Sequence, residues 1–296
     1  MLNICMSKIE QEVDPTSILS LYLSHDAAAT YIDKNDKIKV LEYERFVKQR
    51  YGAFTHTMSN REGLGTTDDQ RGDFLQYIKD NVKGDIKTIL TNDTNLHDGP
   101  LIKEYFPNVE FKSISHHDAH AASGVYTSGL EDATLLSFDG GGNDDDSNVC
   151  FTRTYLYRDN KIQRLNDYGY SLGIPYGHLA KCIKEIKAGP DCDNHSLVYS
   201  GKIMGLCGYG NIREEWIQPM VNYYENSQTQ GNSLSILGKE INLTLELNSI
   251  EGQDAYDLAA TSQHVFEQSA FVIINDLIKS GLPLNVILVG GCALNV

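Results

Sequence analysis

ILSLYLSHDAAATYIDKNDKIKVLEY (18–43) and ATLLSFDGGGNDDDSNVCFTRTYLYRDNKIQRLNDY (133–168) follow one plan. Each opens with an apolar strand that runs into an acidic residue among small neighbours. Each continues with a second strand, a turn of Asp, Asn and Lys (33–36 and 158–161), and a third strand. A pattern that returns in this order reads as the internal duplication of one βββ unit. In between, 68–84 reads as a helix with Phe74, Tyr77 and Ile78 on one face, stopped by Gly84. KTILTND (87–93) is a strand, LIKEYF (101–106) a short helix, and VEFKSIS (109–115) a strand. HHDAHAASGVY (116–126) begins an alanine-rich helix. The division that follows is a polar leader at 1–16, a first half at 17–132 and a second half at 133–296.

Past the repeat, 174–189 is expected to be helical. GKIMGLCGYG (201–210) is dense in glycine, and 211–250 reads as an insertion with a helix and a hairpin. The longest helix is expected over 254–281, with Leu258, Val265, Phe266, Ile273 and Leu277 in its buried stripe. LNVILVGGCALNV (284–296) reads as a buried strand, a Gly-Gly turn and a helix start, so the second half is expected to be incomplete.

Bulk composition narrows the function classes. Hydrophobic residues make up 41% of 296, enough for a substantial core. The formal charge of -15 opposes nucleic-acid binding, and no basic run favours an anionic membrane. Six cysteines without a CxxC pair fit reduced thiols in a cytoplasmic protein. The first residues lack a signal-peptide pattern, and no run reaches 18 apolar residues.

The residues with chemistry cluster at element ends. His116 and His120, at i and i+4, share one helical face, and two imidazoles so placed can ligate one divalent ion. A helix-start cluster that only caps or packs has the same spacing. Asp139, at a strand end before Gly140, Gly141 and Gly142, offers a third ligand, and the glycines permit close approach of phosphate. An ordinary turn between strands would also look like this, and the acidic run NDDDS after it reads as a solvated loop. Lys202, between glycines, could touch a phosphate or a carbonyl oxygen, although the P-loop spacing is absent. Gly290 and Gly291 end the last strand, where a helix start favours anions. His25 and Asp26 sit at the tip of the first small-residue turn, which a polar β-turn explains equally well. Arg45 and Lys48 suit a small phosphate donor, or simply a solvated edge.

SHDAAA with EYERF, HHDAHAAS, FDGGG, SLGIPYG, GKIMGLCGYG and GGCALN occur in that order. Together they resemble the O-carbamoyltransferase family of the nodulation-factor and antibiotic type, over residues 18–210 and 254–296. The resemblance implies an α/β actin/sugar-kinase-like (ASKHA) fold, a duplicated βββαβα unit. It implies that carbamoyl phosphate and ATP give a carbamoyl-adenylate whose carbamoyl group passes to a hydroxyl-bearing small molecule. It implies a divalent metal, Fe2+ first and Mg2+ or Mn2+ next, on His116, His120 and Asp139. It places His25 beside the carbamoyl group, with Asp26 and Lys202 in the catalytic set. ATP is expected on Gly140, Gly141, Gly142, Gly290, Gly291 and Asn295, with Arg45 as a phosphate contact. Family chains continue past GGCALN, so this chain is expected to be an N-terminal fragment, or a split subunit whose partner chain supplies that region. Cys207-Gly208 stands where the family has Ala-Pro. Two alternatives share these features: a relative of the tRNA threonylcarbamoyl-transfer enzyme, and a non-catalytic nucleotide-binding module.

Overall fold

The computed structural model describes residues 14–33, 35, 37–48, 54, 67–82, 84–92, 98–143, 149–169, 171–186, 197–226 and 233–295. Most of the leader, most of the polar stretch after Lys48 and the acidic run after Asn143 lie outside the described residues. The chain folds as two compact units, one ending at His116 and the other beginning at His117.

The first unit carries β1 (Ile18–Tyr22), β2 (Ala28–Ile32), β3 (Ile38–Glu42), α1 (Tyr43–Val47), α2 (Asp68–Asn81), β4 (Thr88–Thr91), α3 (Gly99–Tyr105) and β5 (Glu110–Ser113). Its sheet runs β3-β2-β1-β4-β5. The meander β1–β2–β3 is antiparallel, whereas β4 and β5 join in parallel. Leu19 and Leu21, two residues apart on β1, point into a core with Ile89, Tyr43, Phe54, Phe74, Leu75 and Ile78. Thr67 and Gln70 form a capping box that satisfies two amides at the start of α2. Of the face expected on this helix, Phe74 and Ile78 are buried, but Tyr77 stays 40% exposed and lies against Phe46. Arg71, on α2, meets Asp98 ahead of α3 at 2.5 Å, and both are buried.

The second unit carries α4 (His116–Ser128, shared at its first residue with the first unit), β6 (Ala133–Asn143), β7 (Val149–Arg158), β8 (Lys161–Tyr168), α5 (Gly173–Lys181), α6 (Leu197–Leu206), α7 (Glu214–Asn226), α8 (Ser233–Ile241), α9 (Gln253–Lys279) and β9 (Val286–Val289). Its sheet runs β8-β7-β6-β9, with β9 parallel to β6. Third, second, first and next parallel strand thus follow in the same order in both sheets, as the repeat requires. The β7–β8 turn has Asp159 and Asn160 both at positive φ, which matches the right-handed twist of a two-residue hairpin. Helix α4 belongs with this sheet because Ala121 and Val125 pack on Leu135, Tyr155 and Ile287. The boundary between the units therefore falls before α4, ahead of the 132/133 position expected from the repeat.

Three local expectations are corrected. Residues 140–142 do not make a tight turn; they prolong β6 as extended strand. The 211–250 region holds two helices, and no hairpin occurs among its described residues. The alternating INLTLELN segment instead folds back on α8, where the Leu243 amide donates to the Gly238 carbonyl at 2.8 Å. Helix α5 stops at Lys181 because Cys182 and Lys184 turn to bond with Ile250.

Candidate metal and nucleotide site

Helix α4 opens on His116, so the i,i+4 rule sends the rings of His116 and His120 to one side. Strand β6 brings Asp139 to them. His120 Nε2 stands 3.1 Å from Asp139 Oδ2, and one donor atom from each of the three residues lies within 4.8 Å of the others. All three are half-buried. Two imidazoles and a carboxylate are a donor set for a divalent transition metal. Donors about 2.1 Å from one ion stand roughly 3–4 Å apart, so closing this set needs about an ångström or less of side-chain movement. The residues therefore fit the group that the resemblance implies.

The neighbouring histidine does something else. His117 is buried, with Nε2 3.0 Å from the Cys150 carbonyl and Nδ1 2.8 Å from Ser137 Oγ. The carbonyl can only accept, so Nε2 carries the proton and the Ser137 hydroxyl donates to Nδ1. Both bonds tie the first turn of α4 to β6 and β7. The sequence hid this role, since a histidine beside two ligand candidates looks like a third.

Glycines set the direction of the Asp139 side chain. The Gly140 amide donates to Asp139 Oδ1 at 2.6 Å. A Cβ on Gly291 would stand 2.9 Å from the same oxygen. Gly290 has φ +96, and a Cβ there would meet the Phe138 carbonyl at 2.3 Å, so only glycine lets the turn after β9 lie against β6. Ser171 Oγ lies 3.2 Å from the carbonyls of both Asp139 and Gly140 and accepts from the Ile174 amide. That fastens the start of α5 to the glycine strand. Cys292 is packed here too; burial, and then the Asp139 charge, push its thiol well above the ordinary range, so it stays protonated.

The other candidates are dispersed. In the first unit, Asp26 has φ +55 and accepts from His25 Nδ1 at 2.8 Å. That bond fixes His25 Nε2 as an acceptor, 3.3 Å from the Tyr22 hydroxyl. The Tyr22 ring is 6.3 Å from that of His116, a contact the sequence did not signal because Tyr22 reads as an ordinary strand residue. Arg45 is exposed and paired with Glu42 and Glu44. Lys202 is exposed on α6. Asn295 bonds reciprocally with Gln263 of α9, at 2.6 and 3.0 Å. A surface hollow of about 360 Å³ lined by Lys239, Thr244 and Glu246 shares no residue with this site.

The model of the family described as carbamoyltransferase N-terminus matches residues 65–296. That span holds the metal candidates, the glycines, Lys202 and Asn295; His25, Asp26 and Arg45 precede it. No curated protein matches significantly. Among solved structures, HypF of T. kodakarensis is similar at TM-score 0.53 and 14% identity, over 94% of this chain and 42% of that one. Full-length HypF in a phosphate- and nucleotide-bound form gives 0.46 and 13%, over 94% and 49%. The chain spans less than half the length of these two. The likeness to the first of them shows an actin-like α/β fold. No helix among the described residues is long and apolar enough to cross a membrane.

Proposed function

The chain belongs to the carbamoyltransferase family, matching its N-terminal region, and from that premise we propose that it carries the metal and nucleotide sites of an ATP-dependent O-carbamoyltransferase. The observation that carries this reading is the approach of His116, His120 and Asp139 to within 4.8 Å inside the matched span.

In the proposed reaction, water cleaves carbamoyl phosphate to carbamate and phosphate. A carbamate oxygen then bonds to the α-phosphorus of ATP, and pyrophosphate leaves. The hydroxyl oxygen of the acceptor next bonds to the carbamoyl carbon, AMP leaves, and the hydroxyl proton goes to a base. A divalent ion, Fe2+ first and Mg2+ or Mn2+ next, would neutralise charge on phosphate oxygens when bound by the two histidines and Asp139. Backbone amides of Gly141 and Gly142 and of the Gly290–Gly291 turn supply fixed dipoles for the nucleotide, while the Gly140 amide holds Asp139. Lys202 and Arg45 are phosphate contacts. His25, oriented by Asp26, accepts the acceptor's proton at Nε2.

A partner chain belongs to the proposal as well. It is supported by β9, which ends its sheet with Leu288 47% exposed between the exposed Leu284 and Leu294. Such an apolar strand edge suits cover by another segment.

The test is ATP–pyrophosphate exchange with the full chain, carbamoyl phosphate and added Fe2+. Exchange that requires the metal and disappears in His120→Ala is expected. Metal and ATP binding without exchange, with or without a partner, would instead mark a nucleotide-binding module. Dependence on tRNA would select the threonylcarbamoyl relative. Failure to bind any divalent ion removes the reading altogether.

A further inference from the structure

We propose that Asp118, midway between His116 and His120, is a positioning residue that fixes the rotation of α4 so that both imidazoles meet Asp139. The inference rests on the metal reading above.

On a helix of about 100° per residue, His116 and His120 lie roughly 40° apart, and Asp118 points about 180° from the direction midway between them. The carboxylate therefore leaves from the back of the face that carries the ligands. Arg164 of β8 receives it: Nε is 2.8 and 3.1 Å from the two carboxylate oxygens, and Nη2 also bonds Oδ2. The Tyr155 hydroxyl of β7 donates to Oδ1 at 2.9 Å. Burial, and then the Asp118 charge, raise the Tyr155 phenol, so it remains a donor throughout the working pH range. Side chains of Asp118 and Arg164 are 17% and 19% exposed, which spares the pair most of the screening that weakens surface ion pairs.

The first turn of α4 thus fans across the sheet. Asp118 reaches β8 and β7, His117 reaches β7 and β6, and His120 reaches Asp139 within β6. Such an index is needed because, Val125 apart, the rest of the packing face is made of small residues. Ala121 is buried, and Gly124 sits so close to β9 that a Cβ would meet Val289 Cγ1 at 2.5 Å. Small residues let the helix approach the sheet, but they resist rotation poorly. At a radius of about 5–6 Å, a 20° turn moves a side-chain tip by about 2 Å. Metal–ligand distances tolerate only about 0.2 Å.

The experiment is a Co2+ titration of the full chain, followed by visible absorption and calorimetry, on wild type, Asp118→Asn, Arg164→Lys and His120→Ala. Asparagine keeps the shape and the Tyr155 bond while removing the charge that Arg164 grips. Binding about 10–100-fold weaker than wild type is expected for D118N, with a shifted spectrum and an unchanged circular dichroism spectrum. R164K, which keeps the charge but not the fork, is expected to weaken binding in the same direction and serves as the readout should D118N not fold. A folded D118N with wild-type affinity and spectrum overturns the inference. Unfolding of both variants overturns it too, because a brace for the whole fold is not a positioning device. A wild type that ignores Co2+ removes the metal site itself, a result distinct from a wild type and D118N that bind alike.

Discussion

Replacing Gly291 by alanine puts a methyl group where the site has no space. A Cβ there stands 2.9 Å from Asp139 Oδ1 and 3.6 Å from its Cγ, whereas ordinary contact begins at 3.4 Å. The oxygen must retreat by about 0.5 Å to restore contact distance. It is not at liberty to do so, because the Gly140 amide holds it at 2.6 Å. Either the carboxylate turns and that bond breaks, or the turn after β9 shifts away from β6. The second route is opposed by the parallel pairing of β9 with β6, which runs up to Ser137 and Val289 just before this turn. Breaking a hydrogen bond to a charged group costs about 1.5–3 kcal/mol. If that full amount falls on the orientation that presents Oδ2 to the histidines, Co2+ affinity drops ~10–150-fold. Calorimetric titration of the full chain measures the drop, and thermal melting shows whether the variant is folded. Gly205→Ala on α6 is the control: nothing lies within 4 Å of its Cβ. In a helix that change adds up to about 1 kcal/mol of stability, and it should leave Co2+ binding alone. A folded G291A with wild-type Co2+ affinity would refute the claim that Gly291 sets the Asp139 carboxylate.

Asp98→Ala should destabilise the first unit by about 3–5 kcal/mol in urea unfolding, because it leaves the buried Arg71 guanidinium without its buried counter-charge. Part of that loss should be spared by Asp68, which also pairs with Arg71 from the exposed side. The double change Arg71→Met, Asp98→Leu should recover most of it, since no buried charge remains. His178 has its pKa lowered by burial first and by Lys181 second. The unfolded chain therefore binds the proton more tightly, and this residue's contribution to stability falls as pH drops below about 6.5. His178→Gln should flatten the stability–pH slope in that window; an unchanged slope would contradict the assignment. Leu288→Lys should leave the melting temperature unchanged in calorimetry, given its exposure on the edge strand β9.

Strand–turn–strand order and the spacing of HHDAH were legible in the sequence because both depend on local rules. Apolar runs set off by turn residues gave the meander of β1–β3, and the Asp-Asn pair at 159–160 gave the hairpin turn. The actin-like fold implied by the motifs is the fold found. Local pattern failed where tertiary contacts decide. Gly140–Gly142 look like a turn, yet they extend β6 because Ser171 and the start of α5 cover that backbone. A Cβ on Gly173 would meet the Gly140 amide nitrogen at 2.9 Å, so the glycine at the start of α5 serves the packing of helix on strand. The 243–248 segment alternates like a strand, but Leu243 bonds back to α8 and Asn248 to the end of α5 instead of to a strand edge.

The candidate ligands could be named from spacing, but the parts that aim them could not. Asp118 and Arg164 are 46 positions apart, and His117 and Ser137 are 20 apart. Only the laying of α4 across β8, β7 and β6 brings these pairs together. An i,i+4 pair fixes two rings relative to each other and leaves one rotation, about the helix axis, undetermined. Asp139 is fixed by the sheet, so that rotation alone decides whether three donors converge or one swings away. Any residue that resists it, on either side of the ligand face, has leverage on metal affinity out of proportion to its leverage on folding. Measured together, Co2+ affinity and melting temperature should therefore separate for changes at Asp118 and Arg164, and should move together for changes at Arg71 and Asp98.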